Sequence, residues 1–455
     1  MTKDMTVGAP FRLILNFAMP LLLGSILQQT YSLIDAAIVG RYLGINALAG
    51  VGASTSVTFL ILGFCNGCTG GFGIPIAQSF GAKNYTRMRS YIYNSYWVGG
   101  AISVILAIIT SLLCAPILRW MQTPDIISND AYNYLLVTFI GIPFSLSYNL
   151  LASIIRALGD SKTPFLFLLI ASVLNVVFDL IFIVLFGWGT AGAAIATVIA
   201  QGISVILCQR YMHRHFPILK ETAPIGGIRE RLSRRNIKTL LGMGIPMGLQ
   251  FSITAIGSII LQSANNSLGA IYVTAFTASM RIKMFFICPF ENLGIVMATY
   301  CGQNLGAGQI DRIRSGIKSA MGMMTCYTLF TMIILLLFSR DLSTIFVNSS
   351  ETEILDKSEQ FLHISCIFYI FLGTLCILRY SLQGVGFTNL SMLSGVFEMI
   401  ARITVSLTLV PLFGFIGVAI GDPAAWIAAD IFLIPAMWKV YGKLKNRQYK
   451  KTVNA

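Results

Sequence analysis

Apolar residues run along this chain in blocks too long for a soluble strand or helix. Stretches with few charges cover 13–39, 51–77, 91–118, 131–155, 164–186, 191–212, 239–264, 271–299, 316–338, 358–381, 388–411 and 416–438. Each is long enough to cross an apolar layer of ~30 Å at ~1.5 Å per residue. Twelve transmembrane helices are therefore predicted. Outer-membrane strands would read as alternating segments of about ten residues, which is not the pattern here. The longest polar stretch, 213–238, divides the blocks six and six. The predicted organisation is a six-helix lobe over 1–212, a basic cytoplasmic linker over 213–238, a second six-helix lobe over 239–438 and a basic cytoplasmic tail over 439–455.

The two halves resemble each other. Shifted by 225 residues, Gln78, Gly81 and Ala82 meet Gln303, Gly306 and Ala307, and Arg87, Arg89 and Ser90 meet Arg312, Arg314 and Ser315. The same shift brings Gly159 and Thr163 onto Gly384 and Thr388. One offset shared by two distant loops marks an internal duplication. Because each repeat holds six spans, both begin on the same side, and a pseudo-two-fold axis along the membrane normal is expected to relate the lobes. Pro20 and Pro246 stand at corresponding places in the first helix of each repeat. A proline inside a membrane helix frees a backbone carbonyl and bends the helix, so both are candidate hinges.

Composition agrees with the pattern: 56% of residues are hydrophobic and 11% charged, where soluble domains carry about a quarter charged. The start, MTKDMTVGAPFRLILNF, lacks the short apolar core and small-residue cleavage site of a secretory leader. The nine cysteines are scattered singly through apolar runs apart from Cys65 and Cys68, and are expected as packed thiols. With the N-terminus in the cytoplasm, most of the 32 Lys and Arg fall on the cytoplasmic side. That distribution satisfies the positive-inside rule and places both termini inside a bacterial-type inner membrane. The net charge of +14 thereby reports topology and contact with anionic lipid rather than nucleic-acid binding.

Against this background a few polar residues stand out. Asp179 lies in LNVVFDLIFIVLF, where a carboxylate is costly and is usually retained for a task. Asn175 is one turn away on the same helix face. Asp35 in the first span and Thr197 in the sixth lie at a similar depth, ~7–11 Å below the outer surface at ~1.5 Å per residue. Four oxygen-bearing side chains in one layer suit a hard monovalent cation such as Na+, and two carboxylates held close also suit a shared proton. The alternative is that each merely bonds a neighbouring helix. In the second half, Glu398 and Arg402 are spaced i, i+4 and are expected to pair, which lowers the cost of both in hydrocarbon, or else to line a cavity. Glu291 has no evident partner and is a candidate for a cavity wall. Lys283 and Arg281 are expected to reach the headgroups by snorkelling, and Asp422 to be interfacial. Asp430 is deeper and unassigned.

The stretches LLLGSILQQTYSLIDAAIVGRYLG, QSFGAKN with its repeat GQNLGAG, and RALGDSKTP resemble the multidrug and toxic compound extrusion (MATE) transporters over essentially the whole chain. Within that family the chain is similar to the bacterial DinF-like and MepA-like branch. The resemblance implies a two-lobed antiporter that expels amphipathic, often cationic, compounds in exchange for Na+ or H+. It also implies that Asp35, Asn175, Asp179 and Thr197 form an N-lobe site coupling ion binding to drug release. The sequence departs from the sodium-coupled NorM-like pattern at Thr254, where that branch carries a glutamate, which puts an ion site there in doubt.

No catalytic constellation accompanies these features. There is no GxxxxGK[ST] phosphate loop, and His213, His215 and His363 form no HExxH or comparable set. A transporter without an enzyme activity or cofactor, working as a monomer, is the expectation. A lipid-linked precursor flippase of the same superfamily, or a passive channel-like protein, is the alternative. The small number of basic residues well inside the spans, Arg281, Lys283 and Arg402, argues against the former.

Overall fold

The computed structural model describes residues 4–219 and 232–453. The first half contains α1 (Pro10–Leu43), α2 (Ile45–Gly81), α3 (Tyr85–Leu112), α4 (Cys114–Trp120), α5 (Asp125–Ile140), α6 (Ile142–Ala157), α7 (Lys162–Asp179) and α8 (Gly189–His215). The second contains α9 (Arg234–Asn266), α10 (Ala270–Gly306), α11 (Ile310–Ser343), α12 (Thr352–Ile367), α13 (Tyr369–Gly384), α14 (Thr388–Phe413) and α15 (Phe415–Val453). There is no β-strand among the described residues.

Among the described residues ten helices, counting α7 together with the turn that follows it, are each long and apolar enough to span a membrane. The pairs α5–α6 and α12–α13, bent by 49° and 51°, bring the number to twelve when each pair is one span. The apolar runs at 131–155 and 358–381 thus mark broken spans rather than straight helices. At the first break Gly141 is followed by Pro143, whose ring suits the first turn of a new helix. Of the polar linker at 213–238, residues 220–231 lie outside the described residues. Its flanks are helical, with α8 running to His215 and α9 starting at Arg234. The basic tail continues α15 to Val453.

The chain divides into two compact units, one mainly Met19–Gly248 and the other Met5–Ala18 with Leu249–Ala455. Both α1 and α9 contribute to each unit, and they change units within two residues of Pro20 and Pro246. In the first unit, α2 packs backbone to backbone on the early turns of α9. A Cβ on Gly67 would meet the Met247 carbonyl oxygen at 2.5 Å, and one on Gly71 would meet Gly244 Cα at 2.6 Å. Small residues one turn apart allow this close approach. In the second unit the N-terminal segment is fixed by polar contacts. The Met5 N–H donates to Gln303 Oε1 at 2.9 Å, and Arg312 donates to the Met5 and Gly8 carbonyls.

Helix bounds carry the duplication but refine its register. α2 and α10 start and end 225 residues apart, whereas α5–α6 and α12–α13 are offset by 227. Gly159, at φ +88°, corresponds to Gly386, at φ +89°, rather than to Gly384. The constant offset read from the loop motifs therefore slips by two residues before α5 and α12.

Candidate ion-binding site

The first-unit site is built on α1, α7 and α8. α7 is started by Asp160, which follows the left-handed Gly159. Its Oδ1 accepts from the Lys162 and Thr163 N–H groups at 3.0 and 3.1 Å, and its Oδ2 accepts from Thr163 Oγ1 and the Tyr211 hydroxyl at 2.7 and 3.0 Å. This satisfies open backbone donors of the first turn and ties α7 to α8. At its other end α7 changes geometry directly after Asp179, where Leu180–Leu185 form a π-helical turn. The Phe186 N–H reaches back to the Ile181 carbonyl at 3.0 Å, and Gly187 and Gly189, at φ +66° and +61°, turn the chain into α8. Single π turns inside helices often accompany functional residues, because they rotate the side chains before and after them.

Asp179 is fully buried and Asn175, one turn earlier, is 3% exposed. Asn175 Nδ2 donates to Thr197 Oγ1 at 3.0 Å, and the Thr197 hydroxyl in turn donates to the Ala193 carbonyl at 3.2 Å. This fixes the amide so that its oxygen is left unbonded. The carboxyl groups of Asp35 and Asp179 face each other within hydrogen-bonding reach. The rings of Tyr31 and Tyr134 lie within electrostatic range of both. Four buried acceptor atoms in this cluster, Asp35 Oδ1, Asn175 Oδ1 and both Asp179 oxygens, have no donor. All four predicted residues are thus brought together, and three of them, Asp35, Asn175 and Asp179, present oxygens that no protein group bonds. Leaving such groups bare inside a protein is unfavourable by several kcal/mol or more for a charge. Among the described residues no group of three or more His, Cys, Asp or Glu could hold a metal. The donors here are instead two carboxylates and an amide, with a hydroxyl that orients the amide, a set suited to a monovalent cation or a proton.

The second unit handles its charges differently. Glu398 is bonded to Arg379, and Arg402 Nη2 approaches its other oxygen at 3.5 Å. Arg402 Nε also donates to Asp422 at 2.9 Å, and Lys283 Nζ donates to the second Asp422 oxygen at 2.5 Å. Lys283 lies over the Trp426 and Phe361 rings at 5.1 and 5.4 Å. The expected Glu398–Arg402 pair is therefore the middle of a chain of five. The snorkelling expectation is corrected. Lys283 does not snorkel, being 1% exposed and bonded to Asp422, and Asp422 is drawn into an ion pair with Lys283 and Arg402 rather than left to the headgroups. Arg379, at the end of the apolar run 358–381, is a further buried basic residue. Its helix periodicity alone carries no signal for this role; only the surplus of acids in neighbouring spans hints at a missing cation. Glu291 is exposed on its unit and within electrostatic range of Arg379.

A polytopic helical protein with a duplicated six-helix frame and a buried acceptor cluster in one half is a membrane transporter by architecture. The family model MatE matches residues 20–181 and 246–408, and the chain belongs to that family of transporters, which are not enzymes. It is 29% identical over 383 residues to the probable multidrug resistance protein YpnP of Bacillus subtilis (strain 168), covering 84% of each chain. It is 22% identical over 441 residues to the multidrug export protein MepA of Staphylococcus saprophyticus, covering 95% of this chain and 93% of that one. A solved structure described as the outward-facing conformation of a multidrug resistance MATE family transporter of the MOP superfamily matches with a TM-score of 0.89 at 23% identity. That match covers 98% of this chain and 99% of the other, and it establishes the fold.

Proposed function

We propose that this chain is a secondary active exporter of amphipathic, often cationic, organic compounds, driven by exchange with Na+ or H+ through the Asp35–Asn175–Asp179–Thr197 cluster. The observation that carries the reading is the set of four buried, donor-free oxygens. Two facing carboxylates cannot both stay charged in a dry site without a cation between them or a proton on one. Ion and proton are therefore alternative occupants of the same place. Emptying the cluster raises the energy of the first unit, and that cost can be coupled to a change in the access of a substrate site.

Within this reading Thr197 positions Asn175, while Asn175, Asp35 and Asp179 hold the ion. Pro20 and Pro246 are assigned as bending points of α1 and α9. Glu398 and Arg402 are assigned to stabilising the second unit, and Glu291 to attracting cationic substrates. The protein works as a monomer in the inner membrane with both termini cytoplasmic. The printed names of the relatives, multidrug resistance and multidrug export proteins, support the substrate class. The test is uptake of a fluorescent organic cation by inverted vesicles under imposed Na+ or H+ gradients. At least one gradient drives uptake in this account, and indifference to both overturns it.

A further inference from the structure

The second unit contains one more buried acid that its ion chain does not use. Asp430, on α15, is 3% exposed, and neither of its carboxyl oxygens has a hydrogen-bond donor. The groups that interact with it electrostatically are Arg379 and Cys376 from α13 and Glu398 from α14. Glu291, from α10, acts on Arg379 from another direction. α15 packs against α11 through α14, and these four side chains are the titratable and charged groups recorded around Asp430 or its nearest cation.

Arg379 is already committed. Its Nη2 bonds Glu398, and its Nε donates to Ser394 Oγ at 3.0 Å. Ser391 Oγ donates to the Arg379 carbonyl at 2.9 Å, so the base of the side chain is anchored as well. The ion chain as it stands joins three cations, Lys283, Arg379 and Arg402, to two anions, Glu398 and Asp422. An ionised Asp430 would balance that surplus, and a neutral one leaves it. A metal cation is a poor occupant here. Both Glu398 oxygens face guanidinium groups, and Arg379 repels a second positive charge at short range. Hard cations want several free oxygens, which the first-unit cluster offers and this one does not. A proton needs one.

We infer that Asp430 is a second proton-binding site of this chain, one whose neutral form leaves Arg379 with Glu398 and whose ionised form competes with Glu398 for the same guanidinium. The inference stands on the second unit alone and is independent of the coupling role proposed for the first. No bond other than O–H is made or broken, and the proton exchanges with water.

The test is infrared difference spectroscopy on the purified full-length protein at neutral pH, following the carbonyl stretch of protonated carboxyl groups and its shift in D2O. Asp35→Asn/Asp179→Asn/Glu291→Gln protein, which lacks the three competing acids, is expected to retain one such band. Adding Asp430→Asn is expected to remove it, and Asp430→Glu in its place to restore it at a shifted frequency. Potentiometric titration should show the same change as a loss of about one bound proton per chain. Absence of the band before Asp430 is altered, or its survival afterwards, overturns the inference. If the Asp430→Asn protein does not fold, the Asp430→Glu band shift decides: a shift supports the assignment, and an unmoved band contradicts it.

Discussion

The two units use one helical frame for opposite treatments of charge. With α7 and α14 starting 226 residues apart, and α8 and α15 likewise, Asn175, Asp179 and Thr197 fall on Ala401, Val405 and Pro423. Asp35 falls near Ile260. In the other direction Lys283, Arg379, Glu398, Arg402, Asp422 and Asp430 fall on Thr58, Ala152, Ser172, Val176, Ala196 and Ser204. No ionisable residue of either set has an ionisable counterpart. The first unit brings acids together without donors, which is where the proposed function puts the exchanged ion. The second joins Glu398 and Asp422 to Lys283, Arg379 and Arg402 in one chain, so both acids of the chain have basic partners within the unit. The duplication thus supplies the scaffold, and the electrostatics assign different work to its copies.

The comparison is broken most severely by cutting the second-unit chain. Arg402→Ala severs the link between the two halves of the chain, leaving Glu398 to Arg379 alone and Asp422 to Lys283 alone, and removal of one partner from a buried pair typically costs ~3–5 kcal/mol. Thermal unfolding in detergent should show that loss; a change below ~1 kcal/mol would mean that the chain is not held as a unit. Asp179→Asn goes the other way. It removes a donor-free buried carboxylate, so the fold should be as stable as before or more so. Gradient-driven uptake should nevertheless fall at least about tenfold, equivalent to ~1.4 kcal/mol.

Thr197→Val sharpens the first-unit half of the contrast. It deletes the hydroxyl that holds the Asn175 amide, a membrane hydrogen bond worth ~0.5–2 kcal/mol. Binding of the coupling ion to the purified protein should weaken about two- to thirtyfold by the same free energy, while unfolding shifts only modestly. Unchanged affinity would show that Thr197 does not position the amide. Glu291→Gln should have the smallest effect on stability, within ~0.5 kcal/mol, because its side chain is exposed on its unit. A larger loss would show that Glu291 belongs to the Arg379 network.

Much of this was legible in the sequence for identifiable physical reasons. Hydropathy marks a span wherever hydrocarbon must be crossed, so the helix count followed directly. The first-unit cluster was visible because acids and amides in apolar runs are conspicuous and because i, i+4 spacing fixes a shared face. The bends at Gly141 and Phe368 were not visible as breaks, since hydropathy is continuous through them. The links of Lys283 to Asp422 and of Arg379 to Glu398 join residues 139 and 19 positions apart. Pairing at such separations is decided by tertiary packing, and a lysine in the outer half of a span looks from sequence like one that reaches for the headgroups. Asp160 was read only as part of a family motif; its role as a cap to α7 and a tie to α8 depends on Tyr211 arriving from a different helix.

The central claim is that the exchanged ion acts on the first unit and not on the second. Its most direct test compares wild-type, Asp179→Asn and Asp430→Asn proteins in inverted vesicles, with uptake of one fluorescent cation recorded under the gradient that drives the wild type. The account predicts that Asp179→Asn loses the response to the gradient and that Asp430→Asn keeps it, even if its rate is altered. Gradient-driven uptake that survives Asp179→Asn and disappears in Asp430→Asn would contradict the account.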